Sequence, residues 1–547
     1  MVRIALLVIA VLLYGGRIVD AQSPSGCNCD YTISKGGIYM NSLMNVLPGK
    51  TVCIQSGRYD HLRFIGFVGT SAQPIRFINC GGQVNVGIDE YYSGIQFEAS
   101  RYFVLSGSGD SNYQYGFKLD QSNTDASGLS IGVLSSDCEV ERVEVAKAGF
   151  AGFFIKTDPT CDPVTWREKF TMYNVKLHDN YIHDTGGEGM YIGNSFYSGV
   201  NVTCNGAVKV VYPHLIQGLE VYNNRIEHTG AEGLQYGCAP DAQVHHNHID
   251  YAGISPFAKN QNNGLQISGG SGGDCYSNII RHVAGTGLAI LGHLGNNRIY
   301  NNVIYDVGQD GIFCDDRPGS LSNTSMAFLN NTISKAGRDG IRLYNEINVN
   351  TIANNVITQT NAIPALGGRA FVFQQGARAD MVANFVAINT ATAGFVDVSA
   401  DSADFRLTPC SPLIRAGVNV SSWGVLADLD GKLRDGAYDI GAYSFSPDSL
   451  NTAPIDVALA CLNQRLALVI AYPSPTSDQV TLLLPEDQFI DQIHIYNSMG
   501  QRVINQLNTQ GRTNTLTISV AHLPSGHYFF DIFINPSDII RGRFIKQ

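Results

Sequence analysis

Charge is the scarcest thing in this chain. Asp, Glu, Lys and Arg make up only 15% of the 547 residues, and 47 acids against 36 bases leave a net charge of −11. That balance excludes a general nucleic-acid or anionic-membrane binder, which needs a positive field. It also counts against a highly anionic polymer as substrate unless a basic patch is local. Long apolar runs are missing as well. The stretch Ile4–Tyr14 is the one candidate and is too short to span a bilayer. Between Arg3 and Val19-Asp20-Ala21 it has the layout of a secretory signal peptide, residues 1–21. No transmembrane segment is expected elsewhere. Paired zinc-type cysteines are also lacking, Cys27-x-Cys29 being too little for a site. Twelve Cys in an exported chain permit disulfides, with connectivity left open. Cys161, Cys204, Cys238 and Cys314 follow the same strand of their repeats, where bridges to inserted loops would form.

What the chain does have is glycine, 58 of it, and a phrase built around it. The phrase reads Asn180-Ile182-Gly186-Gly189, Asn224-Ile226-Gly230-Gly233, Asn278-Ile280-Ala284-Gly287, Asn302-Ile304-Gly308-Gly311 and Asn331-Ile333-Gly337-Gly340. A sixth copy, Asn247-Ile249-Gly253, carries eight extra residues before its Gly264. After each final Gly comes a short alternating run such as Met190-Tyr191-Ile192 or Leu234-Gln235-Tyr236, which is strand periodicity with one buried face. No copy shows an apolar stripe at helical spacing. A unit this small must stack on its neighbours to bury its apolar side. Stacking puts Ile over Ile and Asn over Asn, with amides bonding along the stack. Parallel crossovers are right-handed. The fold class read here is all-β: a right-handed parallel β-helix over residues 22–445. β-Propeller repeats of ~40–45 residues are too long to match.

Residues 446–465 read as a linker with Pro447 and Pro454, and 466–547 as a separate small β-sandwich-like domain. Leu47-Pro48-Gly49-Lys50-Thr51-Val52, Gly57-Arg58-Tyr59 and Pro74-Ile75-Arg76-Phe77 resemble the first turns of secreted β-helix proteins that include the chondroitinase B-like and alginate-lyase-like polysaccharide lyases. The match covers roughly the first sixty mature residues and concerns the fold. Leu407–Ile414, Asp428-Leu429-Asp430-Gly431 and Asp439–Tyr443 look like the closing turn of bacterial β-helices. Asp428 and Asp430 could take calcium, against the plainer reading of an Asp-rich Gly turn. Tyr472-Pro473-Ser474-Pro475-Thr476, Ile495–Gly500, Leu523–Tyr528 and Arg543–Lys546 resemble the type A sorting domain of type IX secretion, with Ser474 where Asn is commoner. The resemblance implies Sec export, transfer across the outer membrane by the type IX machinery and a Bacteroidetes-type host.

Function on a stack of rungs sits on outward columns or inserted turns. The residue before the repeated Gly gives Glu188, Glu232, Asn263, Thr286, Asp310 and Asp339; the middle of the next strand gives Tyr191, Gln235, Gln266, Ala289, Phe313 and Arg342. Strands ~4.8 Å apart would place Glu188 beside Glu232 if their rungs are adjacent, close to the ~5–5.5 Å of a retaining glycosidase pair. These two acids, with His183 and His228 as bases or binders, are the candidate catalytic set. Tyr191, Gln235, Gln266, Asp310, Asp316, Arg342 and Trp166 are candidate substrate contacts, Trp166 joining Phe196, Tyr197 and Tyr212 on insertions at 156–176 and 194–219. A second cluster of Asp310, Asp315, Asp316 and Arg317 with Arg338, Asp339, Arg342 and Tyr344 is lyase-like in composition or a set of solvated pairs. Asp315-Asp316 is similar to the paired Asp of β-helix polygalacturonases, but the chain has no Gly-His-Gly and no Arg-Ile-Lys, so that assignment fails. The Lys-and-Arg set of the chondroitinase B-like lyases is not present in recognisable form. His246-x-His248 shows two imidazoles without a third ligand, and no metal or cofactor is expected. The expected partner is a polysaccharide, cut by lyase or hydrolase chemistry; a non-catalytic adhesin or glycan-binding scaffold is the alternative.

Overall fold

The computed structural model describes residues 26–87, 92–121, 123–399, 403–436, 438–446, 470–472, 474–484, 490–507, 515–535 and 538–547. The expected signal peptide and nearly all of the expected linker lie outside them. The chain divides into two compact units. The first holds the described residues up to Ala393 with Asp397–Phe405 and Leu413–Ser444; the second holds Gly394–Val396, Arg406–Pro412 and the described residues from Phe445.

The first unit is a parallel β-helix. One rung shows the plan: Val175–His178, a turn at Asp179-Asn180, Tyr181–Thr185, a turn at Gly186–Glu188, then Met190–Ile192. The third strand of each rung joins a 12-stranded parallel sheet running from Gly37–Met40 to Phe371–Phe373. The first two join a 23-stranded sheet, bent at the Asn turn. Ile182, Ile226, Ile249, Ile280, Ile304, Ile333 and Ile357 line up inside it with no exposed surface.

The Asn turn accounts for two columns at once. Asp179, Asn223, His246, Ser277, Asn301, Asn330, Asn354 and Ala383 all adopt left-handed φ between 51° and 58°, a region Asn and Asp enter at least cost among residues with a side chain. The next residue points inward. Asn180, Asn224, Asn247, Asn278, Asn302, Asn331, Asn355 and Asn384 form a continuous amide ladder of Nδ2–H to Oδ1 bonds, 2.9–3.0 Å each. Each donor amide also reaches a backbone carbonyl, for example Asn302 to Cys275 (2.9 Å). The ladder runs two rungs beyond the six copies read from the sequence.

The doublets Asn301-Asn302, Asn330-Asn331 and Asn354-Asn355 have a further role. Their outward members hold residues 418–441, which run back along the outside of the helix as a strap. Asn354 exchanges two bonds with Val418 (2.7 and 2.8 Å), Asn330 donates to Asp439 O (3.0 Å) and Asn301 to Ala427 O (2.8 Å). Buried Arg434 gathers the carbonyls of Asp439, Gly441 and Ala442 with Asn301 Oδ1. Asp428 is a turn residue, its oxygens accepting from Lys432 N (2.8 Å) and Ser444 N (2.7 Å). The parts of the expected closing turn at Asp428–Gly431 and Asp439–Tyr443 therefore belong to a lateral brace.

Disulfides Cys27–Cys80 and Cys29–Cys53 staple the first rungs, and Cys161–Cys204 ties the two long insertions together. Cys238 and Cys314, expected as bridge candidates, are free buried thiols. They fill core volume as small apolar groups.

In the second unit, a three-stranded sheet (Ile470–Tyr472, Gln479–Leu483, Thr515–Ser519) and a four-stranded antiparallel sheet (Gln492–Tyr496, Arg502–Leu507, Gly526–Asn535, Asp538–Lys546) share a core. Val480, Leu482, Ile493, Ile495, Leu516, Ile518, Phe530 and Phe544 form it.

Candidate active site

Register decides the first question about the acids. Met190 pairs with Leu234 and Tyr191 with Gln235, so Glu188 and Glu232 occupy adjacent rungs. Gly189 and Gly233, which follow them, turn inward: a Cβ on Gly189 would lie 2.5 Å from Ile226 Cγ2. That leaves the acids on the outer side of the bend. They are nevertheless covered, Glu188 being 1% exposed and Glu232 0%. Glu188 Oε2 and both carboxylate oxygens of Glu232 have no hydrogen-bond partner. Desolvation pushes Glu188 up to about 7, partly opposed by a backbone hydrogen bond and by Lys156. It pushes Glu232 up to about 8, with the Glu188 charge adding to the rise. A buried carboxyl without partners holds its proton.

Beside the acids runs a polar strip. Tyr191 and Gln235 both reach Ser195 Oγ (3.3 and 3.0 Å), Gln266 donates to Gln235 (2.5 Å), and Asn263 donates to Gln266 (2.9 Å). Lys156 lies over the Tyr191 ring (4.4 Å) and pairs with Asp158 (2.9 Å). Phe150 and Phe154 pack edge-on to Tyr191 at 6.3 and 5.6 Å. Lys156, Ser195, Phe150 and Phe154 were not singled out from the sequence. A column following the repeated strand would have led to the first two, which lie just past the ends of Phe153–Ile155 and Met190–Ile192.

Two walls flank this strip. The insertions form one lobe: Thr171–Tyr173 pairs with Leu215–Gln217, a hairpin spans Val200–Val211, and Arg167 stacks on Tyr197 (3.9 Å). Trp166 donates its indole N–H to Thr160 O (2.8 Å) within the lobe. Opposite stands the eight-residue interruption of the sixth repeat. Gly253, Ile254 and Ser255 turn back onto Ala231, Thr229 and Gly230 through backbone bonds of 2.9, 3.1 and 3.0 Å. Phe257 then meets Phe150 at 6.1 Å, so the loop crosses the rungs of both acids. Its residues 254–260 are exposed. The loop is placed to act as a flap over the pair. Phe257→Ala should therefore quicken carbodiimide labelling of Glu188 and Glu232, read by mass spectrometry on the folded protein; equal labelling in both proteins would mean the flap is no barrier.

The histidines are elsewhere. His183 and His228 lie on the outer face of the larger sheet, across the turn from the acids. Burial works against a charge on His183, but bonds to Glu144 (3.4 Å) and Asp184 (2.7 Å) outweigh it and raise its pKa. His228 stacks on Tyr251 (5.0 Å). The expectation that they serve the Glu188–Glu232 pair is corrected by this placement: residues before the turn point from a different sheet face. Asp310 and Arg342 also change character. Asp310, fully buried, takes a bidentate Arg338 (2.7 and 2.6 Å); Asp339 takes Arg342 and the Arg369 N–H (2.7 Å). Their charges are spent on each other. Asp316 lies 3.2 Å from buried His293, whose pKa burial lowers to about 4.

His248 does find other potential metal ligands, Glu227 and Asp250, their ligand atoms within 4.8 Å of one another. Arg225 and Arg281 already pair with those two carboxylates, supplying the cationic charge an ion would bring. His246 turns away in left-handed conformation.

Residues 217–386 match the family model for a right handed beta helix region, and residues 470–547 that for a secretion system C-terminal sorting domain. The chain is a right-handed parallel β-helix protein with a secretion sorting domain. No curated protein matches it. Among solved structures the β-helix protein is similar to pectate lyase Pel9A, at 14% identity and TM-score 0.43 over 77% of this chain and 98% of that one. It is similar to the GH136 lacto-N-biosidase from Eubacterium ramulus, at 12% identity and TM-score 0.43 over 63% of each chain. It is similar also to the A-module of the Azotobacter vinelandii mannuronan C-5 epimerase AlgE4, at 15% identity and TM-score 0.38 over 62% and 87%. Likeness at this level carries no argument about activity. No helix among the described residues is long and apolar enough to cross a membrane.

Proposed function

We propose that this is an exported, carbohydrate-directed protein that cleaves a glycan in the groove over the 12-stranded sheet, with Glu188 and Glu232 as its acid–base pair. The observation that carries the reading is the pair itself: adjacent buried carboxyl groups, three of their four oxygens without a partner, with pKa raised to about 7 and 8. Such groups keep a transferable proton near neutral pH, which protonation of a glycosidic oxygen requires. Aromatic Tyr191, Phe150 and Phe154 supply apolar faces for sugar rings, and Gln235, Gln266 and Ser195 supply hydroxyl partners. Among cations, Lys156 alone acts on Glu188, and it is paired with Asp158. That scarcity favours hydrolysis over β-elimination, where a uronate carboxylate must be neutralised. One observation favours a non-catalytic glycan scaffold instead, namely the closed cover over both acids. Incubating the purified full chain with a glycan panel separates the readings. New reducing ends support hydrolysis, unsaturated uronate absorbance supports a lyase, and retention without turnover supports the scaffold.

The domain scheme proposed is a signal peptide at 1–21, the β-helix at 22–445, a linker at 446–465 and the sorting domain at 466–547. Export by Sec and then type IX secretion to the medium or outer surface follows from the two ends. Deleting 466–547 should leave a folded β-helix in the periplasm; normal release of that truncation would refute the route.

A further inference from the structure

Between the flap and a second extended turn at 361–368, the ridge joining the two sheets is low. Three successive rungs cross it on short turns, Ala284-Gly285, Gly308-Gln309 and Gly337-Arg338. They stack through backbone bonds: Gly308 N–H to Val283 O (2.8 Å), Gly337 N–H to Val307 O (2.7 Å) and Ile363 N–H to Gly337 O (3.0 Å). Only glycine fits two of these positions, since a Cβ on Gly308 would lie 2.2 Å from Ala284 O and one on Gly337 2.3 Å from Gly308 O. The result is a saddle holding a cavity of about 440 Å³, walled by Ile254 and Ile363 and bordered by Tyr251, His282, Asp306 and Lys335. Both isoleucines are exposed, at 55% and 44%.

We propose that this saddle is a binding site for a neutral, disaccharide-sized segment of a glycan. Its volume and its make-up, an apolar floor with a few placed polar groups, suit a small ligand. The exposed Ala284 methyl and the glycine backbone of Gly308 and Gly337 offer the floor for the C–H face of a sugar ring, while the Val283 and Val307 side chains turn into the core. Asp306 and Lys335 bridge at 2.8 Å with each side chain 32% exposed. They present an acceptor and a donor side by side at no net charge, the pattern vicinal hydroxyls match. An anionic sugar would meet Asp306, and a cationic one Lys335. The edge is fixed: Tyr251 and His282 stack at 4.7 Å, and His282 is held by Asp250 at 2.7 Å. The site uses none of the residues of the acid pair and stands without them. Chain length and stacking geometry also explain why it lies here, because longer turns on both sides leave these three rungs as the only gap between two raised loops.

The test is calorimetric titration of the full chain with maltose, cellobiose, lactose and mannobiose, and with digalacturonate as the charged control. At least one neutral disaccharide should bind. Ala284→Trp fills the saddle from an exposed position without entering the core, and Asp306→Ala removes the acceptor. Each should weaken binding about tenfold or more, while the Glu188→Gln/Glu232→Gln double variant should bind as the parent does. The proposal fails if no neutral disaccharide binds, if digalacturonate alone binds, or if binding survives Ala284→Trp. It fails equally if binding is lost with the Glu double variant but kept with Ala284→Trp, which would move the ligand to the groove.

Discussion

Glu188→Gln and Glu232→Gln should each remove ~10²–10⁴-fold of glycan-cleaving turnover, the usual forfeit for a positioned acid or base. They should also make the protein more stable at alkaline pH. The second effect follows from linkage. Both acids have folded pKa values of about 7 and 8, above the ordinary 4.5. The folded state thus binds protons that the unfolded chain has released, and stability contributed by the acids is complete below pH about 4.5. It falls as pH rises and is lost once pH passes through about 8. The size is about 3 kcal/mol for Glu188 and about 5 kcal/mol for Glu232. Gln keeps the shape and has no carboxyl proton to lose, so between pH 5 and 9 each single variant should decline less than the parent and the double variant least. Denaturant midpoints across that range measure it. Asp339→Asn makes the contrast. Asp339 sits in the same column but is bound to Arg342 and the Arg369 N–H, so its loss should destabilise the fold and spare the chemistry. If Asp339→Asn abolished turnover while both Gln variants left it intact, the site would belong to the Asp310–Tyr344 cluster.

Asn302→Ala should cost roughly 4 kcal/mol, several times the cost of Asn384→Ala. Asn302 is buried in mid-ladder. Its Nδ2 donates to Cys275 O (2.9 Å) and Asn331 Oδ1 (3.0 Å), and its Oδ1 accepts from the backbone and side-chain amides of Asn278 (3.0 Å each). Alanine leaves the Cys275 carbonyl and two Asn278 donors without partners inside the stack, where water cannot reach them. Asn384 ends the ladder half-buried, donating to Ile352 O (2.8 Å), and solvent can replace what it loses. Guanidinium unfolding of the two variants gives the comparison. Equal midpoints would show that the ladder is no more than its separate bonds.

The acids also illustrate what could be read in advance and what could not. Asn, Ile and Gly at fixed offsets carry local demands: an amide that can bond along a stack, a branched apolar side chain inside, a bend with no room for Cβ. Those demands repeat with the rung, so the parallel β-helix, the adjacency of Glu188 and Glu232, and the separate sorting domain were all legible. The β-helix was expected to run past Asn355 and Asn384, but the repeated phrase was not read there because the turns lengthen and the fixed offset from Asn to Gly is lost. His183 and His228 lie, as read, on the strand before the turn; what spacing alone did not say is which way the turn swings a side chain.

The sequence by itself determined the architecture, since six rungs repeat the same short-range pattern and each copy confirms the others. Tertiary structure decided everything that depends on residues far apart in the chain. Phe257 lies over Phe150, the 418–441 strap grips Asn301, Asn330 and Asn354, Arg338 neutralises Asp310, and the insertions at 156–176 and 194–219 close into one lobe. None of these pairings recurs with a period, so none leaves a pattern to read. Whether a carboxyl is exposed turn chemistry or a buried, proton-holding acid is set by what packs around it, and the spacing that marked Glu188 and Glu232 did not say that they are 1% and 0% exposed.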